Sequence, residues 1–116
     1  MSELIYVSGP YSGKTPRDVQ MNVDRAIAIA CDLIRRGHSP YVPHLMHQFY
    51  LHPDGDFDYE KFMWLGMEYL KKCDALFLIA SSPGADRELR LARTLGLKIY
   101  YYVGEVPYAQ TTDQDG

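Results

Sequence analysis

The chain has 116 residues, of which 47% are hydrophobic and 23% charged, a composition that predicts one domain with a packed core. The net charge of −3 argues against a protein that binds nucleic-acid polymers through a basic face. No apolar run approaches the roughly 20 residues of a membrane span, and the N-terminus lacks the features of a signal peptide, so we expect a cytoplasmic protein with no membrane partner.

The first half of the chain alternates between strand and helix patterns. Residues 4–8 form a short β-rich run that ends at Gly9-Pro10, which predicts the first strand. Thr15 and Pro16 are typical of the start of a helix, which we expect to run to about Arg36. A short strand follows at residues 40–43, and residues 44–57 are predicted to form a long loop with room for a helical turn.

The second half repeats the alternation. Asp58 is a candidate N-cap for a helix over residues 59–72, and the continuous apolar run at 74–80 is typical of a buried parallel strand. A turn at 81–84 precedes a helix from about Ala85 to Leu95, and a last strand is expected at 98–103. The prediction is therefore one domain over residues 1–108 and a flexible polar tail over 109–116.

This order of elements predicts a parallel sheet with right-handed crossovers and helices on both faces. Ligands of such folds bind at the carboxyl ends of the strands. Three predicted loops share that edge, at residues 9–15, 44–57 and 81–84, so functional residues are expected there.

The first loop is similar to a phosphate-binding P-loop but is one residue too short. Gly9 and Gly13 enclose three residues where the motif has four, and Pro10 lacks a backbone N–H, so ATP hydrolysis is not expected. A plain strand-to-helix turn is one alternative. The interpretation we favour is that Ser12, Lys14 and free N–H groups before the helix bind a sugar or a phosphate.

The second loop carries three histidines within nine residues, His44, His47 and His52. No matching set of Asp, Glu or Cys accompanies them, so we expect surface or pocket-rim histidines, with His44 the best placed, and neither a metal nor another cofactor. The two cysteines, Cys31 and Cys73, lie on apolar helix stripes and are interpreted as reduced, buried thiols.

Glu88 is the most informative residue next to the third loop. It lies three residues after Ala85 and four before Ala92, which places it on the inward stripe of its helix, whereas Asp86 and Arg90 can pair on the outer side. A carboxylate turned inward at the ligand edge indicates a functional role. The alternative, that Glu88 pairs with an arginine or caps a loop, stays open on this pattern alone.

Five segments together carry a family resemblance. They are Ile-Tyr-Val-Ser-Gly-Pro-Tyr at 5–11, Asn22 with Ala26, Gly-His-Ser-Pro-Tyr-Val-Pro-His-Leu at 37–45, Cys-Asp-Ala-Leu at 73–76 and Gly-Ala-Asp-Arg-Glu at 84–88. In this order they resemble the nucleoside 2-deoxyribosyltransferase-like superfamily, and within it a small DUF4406-like branch of uncharacterised domains. The resemblance covers roughly residues 4–103.

The resemblance implies a flavodoxin-like (Rossmann-like) three-layer α/β/α fold with four or five parallel strands in the order 2-1-3-4(-5). It also implies a homodimer or larger assembly, and Glu88 as the nucleophile that attacks the anomeric carbon of a nucleoside or nucleotide. The base then leaves, and another base or water resolves the glycosyl ester, which makes the enzyme a deoxyribosyltransferase or an N-hydrolase.

The resemblance also implies which residues bind the substrate. They lie in or directly beside the three loops: Ser8, Gly9, Pro10, Tyr11, Ser12, His44, Ser82, Gly84, Ala85 and Asp86. His44, Tyr11 and Asp86 are candidates for the group that protonates the leaving base.

One departure from the family pattern concerns the helix over 59–72. Relatives carry an aspartate that contacts the base or orients the nucleophile, and this chain has Gly66 there, which predicts a gap at the ligand edge. The hydrolase relatives use particular Ser and Arg residues for a 5′-phosphate, and this requirement is not carried over either, since Pro10 and Ser12 stand at those places. A catalytically inactive nucleotide-binding module is therefore the alternative function.

Overall fold

One parallel sheet organises the chain in the computed structural model, which describes residues 2–109. The strands are β1 (Leu4–Ser8), β2 (Ser39–Tyr41), β3 (Ala75–Leu78) and β4 (Lys98–Tyr100), and the helices are α1 (Pro16–Arg35), α2 (His47–Leu51), α3 (Tyr59–Leu70) and α4 (Pro83–Thr94). Short 3-10 turns lie at Pro43–Met46 and Val103–Glu105. The strand order is β2-β1-β3-β4 and every pairing is parallel, which confirms the predicted flavodoxin-like α/β fold.

The residues of β1 alternate between the two faces of the sheet, as the period of a strand requires. Ile5 and Val7 pack with Ala26 and Leu33 of α1 on one face. Tyr6 packs on the other face with a cluster that includes Leu70 of α3, Leu76 of β3 and Ala92 of α4. Two helical layers therefore enclose the sheet, α1 on one side and α3 with α4 on the other.

Side-chain caps fix the starts of the three long helices. Thr15 Oγ1 accepts a hydrogen bond from the Asp18 amide at 3.1 Å, and Asp58 Oδ1 accepts one from the Lys61 amide at 2.8 Å, so both predicted N-caps are confirmed. Ser82 Oγ caps α4 by accepting from the Ala85 amide at 3.1 Å. The prediction of a turn at 81–84 is wrong for its second half, because this cap brings Pro83 and Gly84 into the first turn of α4.

Other element ends also differ from the prediction. The long loop at 44–57 contains α2 and a 3-10 turn. The last strand stops at Tyr100 and not at Val103, because the amides of Tyr101 and Tyr102 donate to Glu105 Oε1, at 2.6 and 2.9 Å, and leave the sheet. β3 likewise ends at Leu78, two residues before the predicted end.

The predicted tail begins with a residue that contacts the domain. The Ala109 amide donates to the Arg36 carbonyl at 2.8 Å, so the folded part extends at least to Ala109. The rest of the predicted tail, residues 110–116, lies outside the described residues. Among the residues that are described, no helix is both long enough and apolar enough to cross a membrane. Both cysteines are free thiols, but only Cys73 is buried as predicted, and Cys31 is half-buried, so the prediction of a buried thiol is wrong for Cys31.

Candidate active site

A cavity of about 470 Å³ opens at the carboxyl ends of the strands. The loop after β1, the segment with α2, one face of α3 and the first turn of α4 form its walls. Its volume falls within the range of small-molecule sites. The position agrees with the general rule for parallel α/β sheets, because the strand order reverses next to β1.

Glu88 lies at this cavity with only 7% of its surface exposed. The Tyr6 hydroxyl donates to Glu88 Oε2 at 2.5 Å, and Ser8 Oγ donates to Oε1 at 2.7 Å. Tyr6 and Ser8 are two residues apart on β1, so they point to the same face of the sheet, and both are fully buried. The inward orientation predicted for Glu88 is confirmed, and its partners are two hydroxyls and not an arginine.

Burial dominates the electrostatics of this carboxylate. Desolvation raises the pKa of Glu88, while the hydrogen bonds from Tyr6 and Ser8 and the charge of Arg87 oppose that rise. Desolvation also raises the pKa of Tyr6, and the adjacent Glu88 carboxylate raises it further. Tyr6 therefore stays protonated as a donor, and two hydroxyls hold the Glu88 carboxyl group in a site with little exposed surface.

Gly66 brings α3 against this group. A Cβ at residue 66 would lie 2.6 Å from the Tyr6 hydroxyl oxygen and 3.5 Å from Glu88 Oε2. The predicted gap at Gly66 is therefore wrong, because the Tyr6 hydroxyl occupies the space where a larger side chain would begin. We infer that glycine is needed here for close approach of the helix backbone to Tyr6.

His44 is buried at the wall of the cavity, with 3% of its surface exposed. Its Nε2 lies 3.1 Å from the Pro10 carbonyl oxygen, and because a carbonyl can only accept, Nε2 carries the proton. Its Nδ1 is buried without a hydrogen-bond partner among the described residues. Desolvation lowers the pKa of His44 against the opposing effect of the Pro10 and Gly9 carbonyls, which favours the neutral ring.

Most residues expected from the sequence to form the site line this cavity. They are Gly9, Pro10, Tyr11, Ser12, His44, Ser82, Gly84, Ala85 and Glu88. Ser8 lies behind them as a partner of Glu88. Asp86 lies outside the lining, and the predicted pair of Asp86 with Arg90 is wrong, because the Asp86 carboxylate accepts from Ser81 Oγ at 2.8 and 3.0 Å.

The sequence prediction missed the aromatic and sulfur-containing part of the wall. The largest of these residues are Tyr6, Tyr41, Met46, Tyr50, Tyr59, Phe62 and Met63, and His47, expected at the surface or the pocket rim, lies beside them. Tyr11 stacks on Tyr50 with ring centroids 5.5 Å apart, and Tyr50 contacts Phe62 at 4.5 Å. The ten tyrosines of the chain were the available signal, since flat rings with a polar tip suit a pocket for a base.

Metal ligands are not grouped in the described part of the chain. Within residues 2–109 no set of three or more His, Cys, Asp or Glu side chains converges. His44 and His47, which the sequence placed in one loop, both line the cavity, but their partners are Pro10 and Tyr11.

Comparison with known proteins gives a family and a fold. A family model described as Domain of unknown function (DUF7768) matches residues 3–102, and the DUF4406-like branch expected from the sequence stays a prediction. No curated protein matches the chain. A solved structure of a 2-deoxyribosyltransferase from the psychrotolerant bacterium Bacillus psychrosaccharolyticus is similar, with 21% identity, a TM-score of 0.58 and coverage of 83% of this chain and 69% of that chain. Similarity at this identity shows a shared fold.

Proposed function

We propose that this chain, which belongs to the family described as Domain of unknown function (DUF7768), cleaves or transfers the N-glycosidic bond of a nucleoside through Glu88. One observation carries the proposal: a buried carboxylate in a cavity of ligand size, with both oxygens held by the hydroxyls of Tyr6 and Ser8. The similar solved structure is described as a 2-deoxyribosyltransferase, which supports a deoxyribosyl nucleoside as the substrate class.

The reaction proceeds in two displacements at the anomeric carbon. A Glu88 oxygen bonds to C1′ while the C1′–N bond breaks, and the electron pair of that bond goes to the base. The transition state is oxocarbenium-like, so a carboxylate held against C1′ stabilises its positive charge. An acceptor base or water then attacks C1′ and releases Glu88. Tyr6 and Ser8 keep the carboxylate in one orientation throughout.

The wall of the cavity supports an uncharged substrate. The stacked rings of Tyr11 and Tyr50 suit a flat base, and the loops at 9–12 and 82–85 suit the sugar. Among the described residues the lining includes no lysine or arginine. The nearby Arg87 makes a bidentate contact with Glu60 at 3.0 and 3.1 Å, so its charge is already engaged. We propose that a nucleoside is preferred to its 5′-monophosphate.

Assembly and cofactor use complete the proposal. We propose a homodimer or larger assembly, to be measured by sedimentation. No cofactor is required, since the attack by Glu88 and the proton transfers need only side chains. The alternative is a nucleotide-binding module without activity, and base release separates the two.

A panel of 2′-deoxynucleosides, ribonucleosides and their 5′-monophosphates tests the proposal by chromatography of the released base, with and without a second base as acceptor. We expect release from at least one deoxynucleoside. The kcat/KM of its 5′-monophosphate should be at least about tenfold lower than that of the nucleoside, a difference of about 1.4 kcal/mol in free energy. Binding without release from any compound would favour the inactive module. Preference for the monophosphate would contradict the assignment of an uncharged ligand.

Tyr6→Phe is expected to move the acidic limb of the kcat/KM profile to higher pH. Glu88 must be ionised to attack, burial raises its pKa, and the hydrogen bond from Tyr6 lowers it, so loss of that donor raises the pKa further. Ser8→Ala should act in the same direction through the other oxygen. Tyr41→Phe is the control, because it removes a cavity hydroxyl that has no described hydrogen-bond partner. An acidic limb that stays in place or moves to lower pH in Tyr6→Phe would contradict the assignment.

A further inference from the structure

Tyr11 and His47 form a hydrogen-bonded pair on the wall of the cavity. The Tyr11 hydroxyl oxygen lies 2.6 Å from His47 Nδ1, and both residues line the cavity that contains Glu88. Tyr11 follows β1, and His47 is the first residue of α2. The ring of Tyr11 stacks on Tyr50, and Asn22 Nδ2 donates to the Tyr11 carbonyl at 3.0 Å. The phenol is therefore held by the hydrogen bond with His47 and by stacking on Tyr50, and Asn22 holds the backbone that carries it.

The proposed reaction needs a proton donor at the base. A base that departs as an anion is a poor leaving group, and a general acid contributes about 10²- to 10⁴-fold to such a step. Three other candidates are engaged elsewhere or lie outside the cavity. The Tyr6 hydroxyl donates to Glu88, the N–H of His44 donates to the Pro10 carbonyl, and Asp86 lies outside the cavity.

We infer that Tyr11 and His47 form a proton relay to the departing base, an inference that rests on the function proposed above. When His47 Nδ1 carries a proton it donates to the Tyr11 oxygen, which leaves the Tyr11 hydroxyl proton free to face the ligand. The phenol supplies the proton and the imidazole restores it. Sequence analysis placed His47 only among rim or surface histidines, so this role is new for that residue.

The proton balance closes over the two displacements. As Glu88 bonds to C1′ and the C1′–N bond breaks, the Tyr11 proton passes to the base atom that takes up the charge. Protonated His47 returns a proton to the Tyr11 oxygen and becomes neutral. In the second displacement the acceptor base or water loses a proton as it attacks C1′. That proton passes through Tyr11 to His47, and Glu88 leaves as a carboxylate.

A pair of substrates isolates this step. 2′-Deoxyguanosine needs a proton on its base, whereas 7-methyl-2′-deoxyguanosine carries a cationic base that leaves as a neutral molecule. We compare kcat/KM on both compounds for the wild type, Tyr11→Phe, His47→Gln and Glu88→Gln. Tyr11→Phe keeps the ring that stacks on Tyr50, so the wall of the cavity is preserved.

The relay predicts a selective loss. Tyr11→Phe should lose about 10²-fold or more on 2′-deoxyguanosine and only a few-fold on the methylated compound, with His47→Gln following the same pattern more weakly. Equal losses on both substrates, or no loss on either, would overturn the relay while leaving the proposed function in place. Failure of the wild type on both substrates and on every other compound of the nucleoside panel, or full activity of Glu88→Gln, would overturn the proposed function and this inference with it.

Discussion

Glu88→Gln is expected to lower the rate of base release by roughly 10³-fold or more, which corresponds to a loss of about 4 kcal/mol of transition-state stabilisation. An amide is a far weaker nucleophile than a carboxylate, and it cannot neutralise the positive charge that develops at C1′. The substitution nearly preserves size, so the contacts with Tyr6 and Ser8 have room to re-form.

The matched control is Glu60→Gln, the same chemical change at an exposed glutamate whose partner is Arg87. It should leave base release within a few-fold of wild type, because Glu60 is not part of the cavity lining. Thermal melts of both variants check that the fold is retained. Retention of most of the wild-type rate by Glu88→Gln would show that Glu88 is not the nucleophile.

Gly66→Ala is expected to destabilise the protein by about 1–2 kcal/mol. The added Cβ would lie 2.6 Å from the Tyr6 hydroxyl oxygen, and that hydroxyl is held by Glu88 in a fully buried site. Overpacking of this kind costs about 1–3 kcal/mol, which exceeds the roughly 1 kcal/mol that alanine gains over glycine in a helix. Urea denaturation gives the free energy of unfolding.

The same substitution should change sign when the hydroxyl is absent. In the Tyr6→Phe protein the nearest group to the new Cβ is Glu88 Oε2 at 3.5 Å, an ordinary contact, so Gly66→Ala becomes neutral or stabilises by up to about 1 kcal/mol. Gly104→Ala, at a position with open space around it, is the control. Stabilisation by Gly66→Ala in the wild-type background would contradict the close-packing account.

The inward orientation of Glu88 was predictable because helix geometry is local. Its spacing of three from Ala85 and four from Ala92 determines the face on which it lies. Its partners were not predictable in the same way, because Tyr6 lies 82 residues away in sequence. Tyr6 also stands in an apolar strand, where the pattern predicts a core residue and not a hydrogen-bond donor. Gly66 was likewise predicted to lie at the ligand edge, but the sequence alone did not indicate that a tyrosine fills the space beside it.

The segment between β2 and α3 was the hardest part of the chain to predict. The 3-10 turn at Pro43–Met46 and the helix α2 both begin without a side-chain cap, so this sequence signal of a helix start is missing from both. The sequence therefore predicts a loop for His47 and Tyr50 and does not indicate their contacts with Tyr11. The parallel sheet, in contrast, follows from the alternation of elements, and its strand order is implied by the family resemblance.

The most direct test of a glutamate nucleophile is the mass of the enzyme during turnover. The protein is mixed with a cleavable 2′-deoxynucleoside, quenched rapidly in acid and digested, and its peptides are weighed by mass spectrometry, with Glu88→Gln treated in parallel. The account predicts that the peptide containing Glu88 gains the mass of one deoxyribosyl group in the wild type and none in Glu88→Gln. Base release without an adduct at Glu88, or with the adduct on another residue, would contradict it.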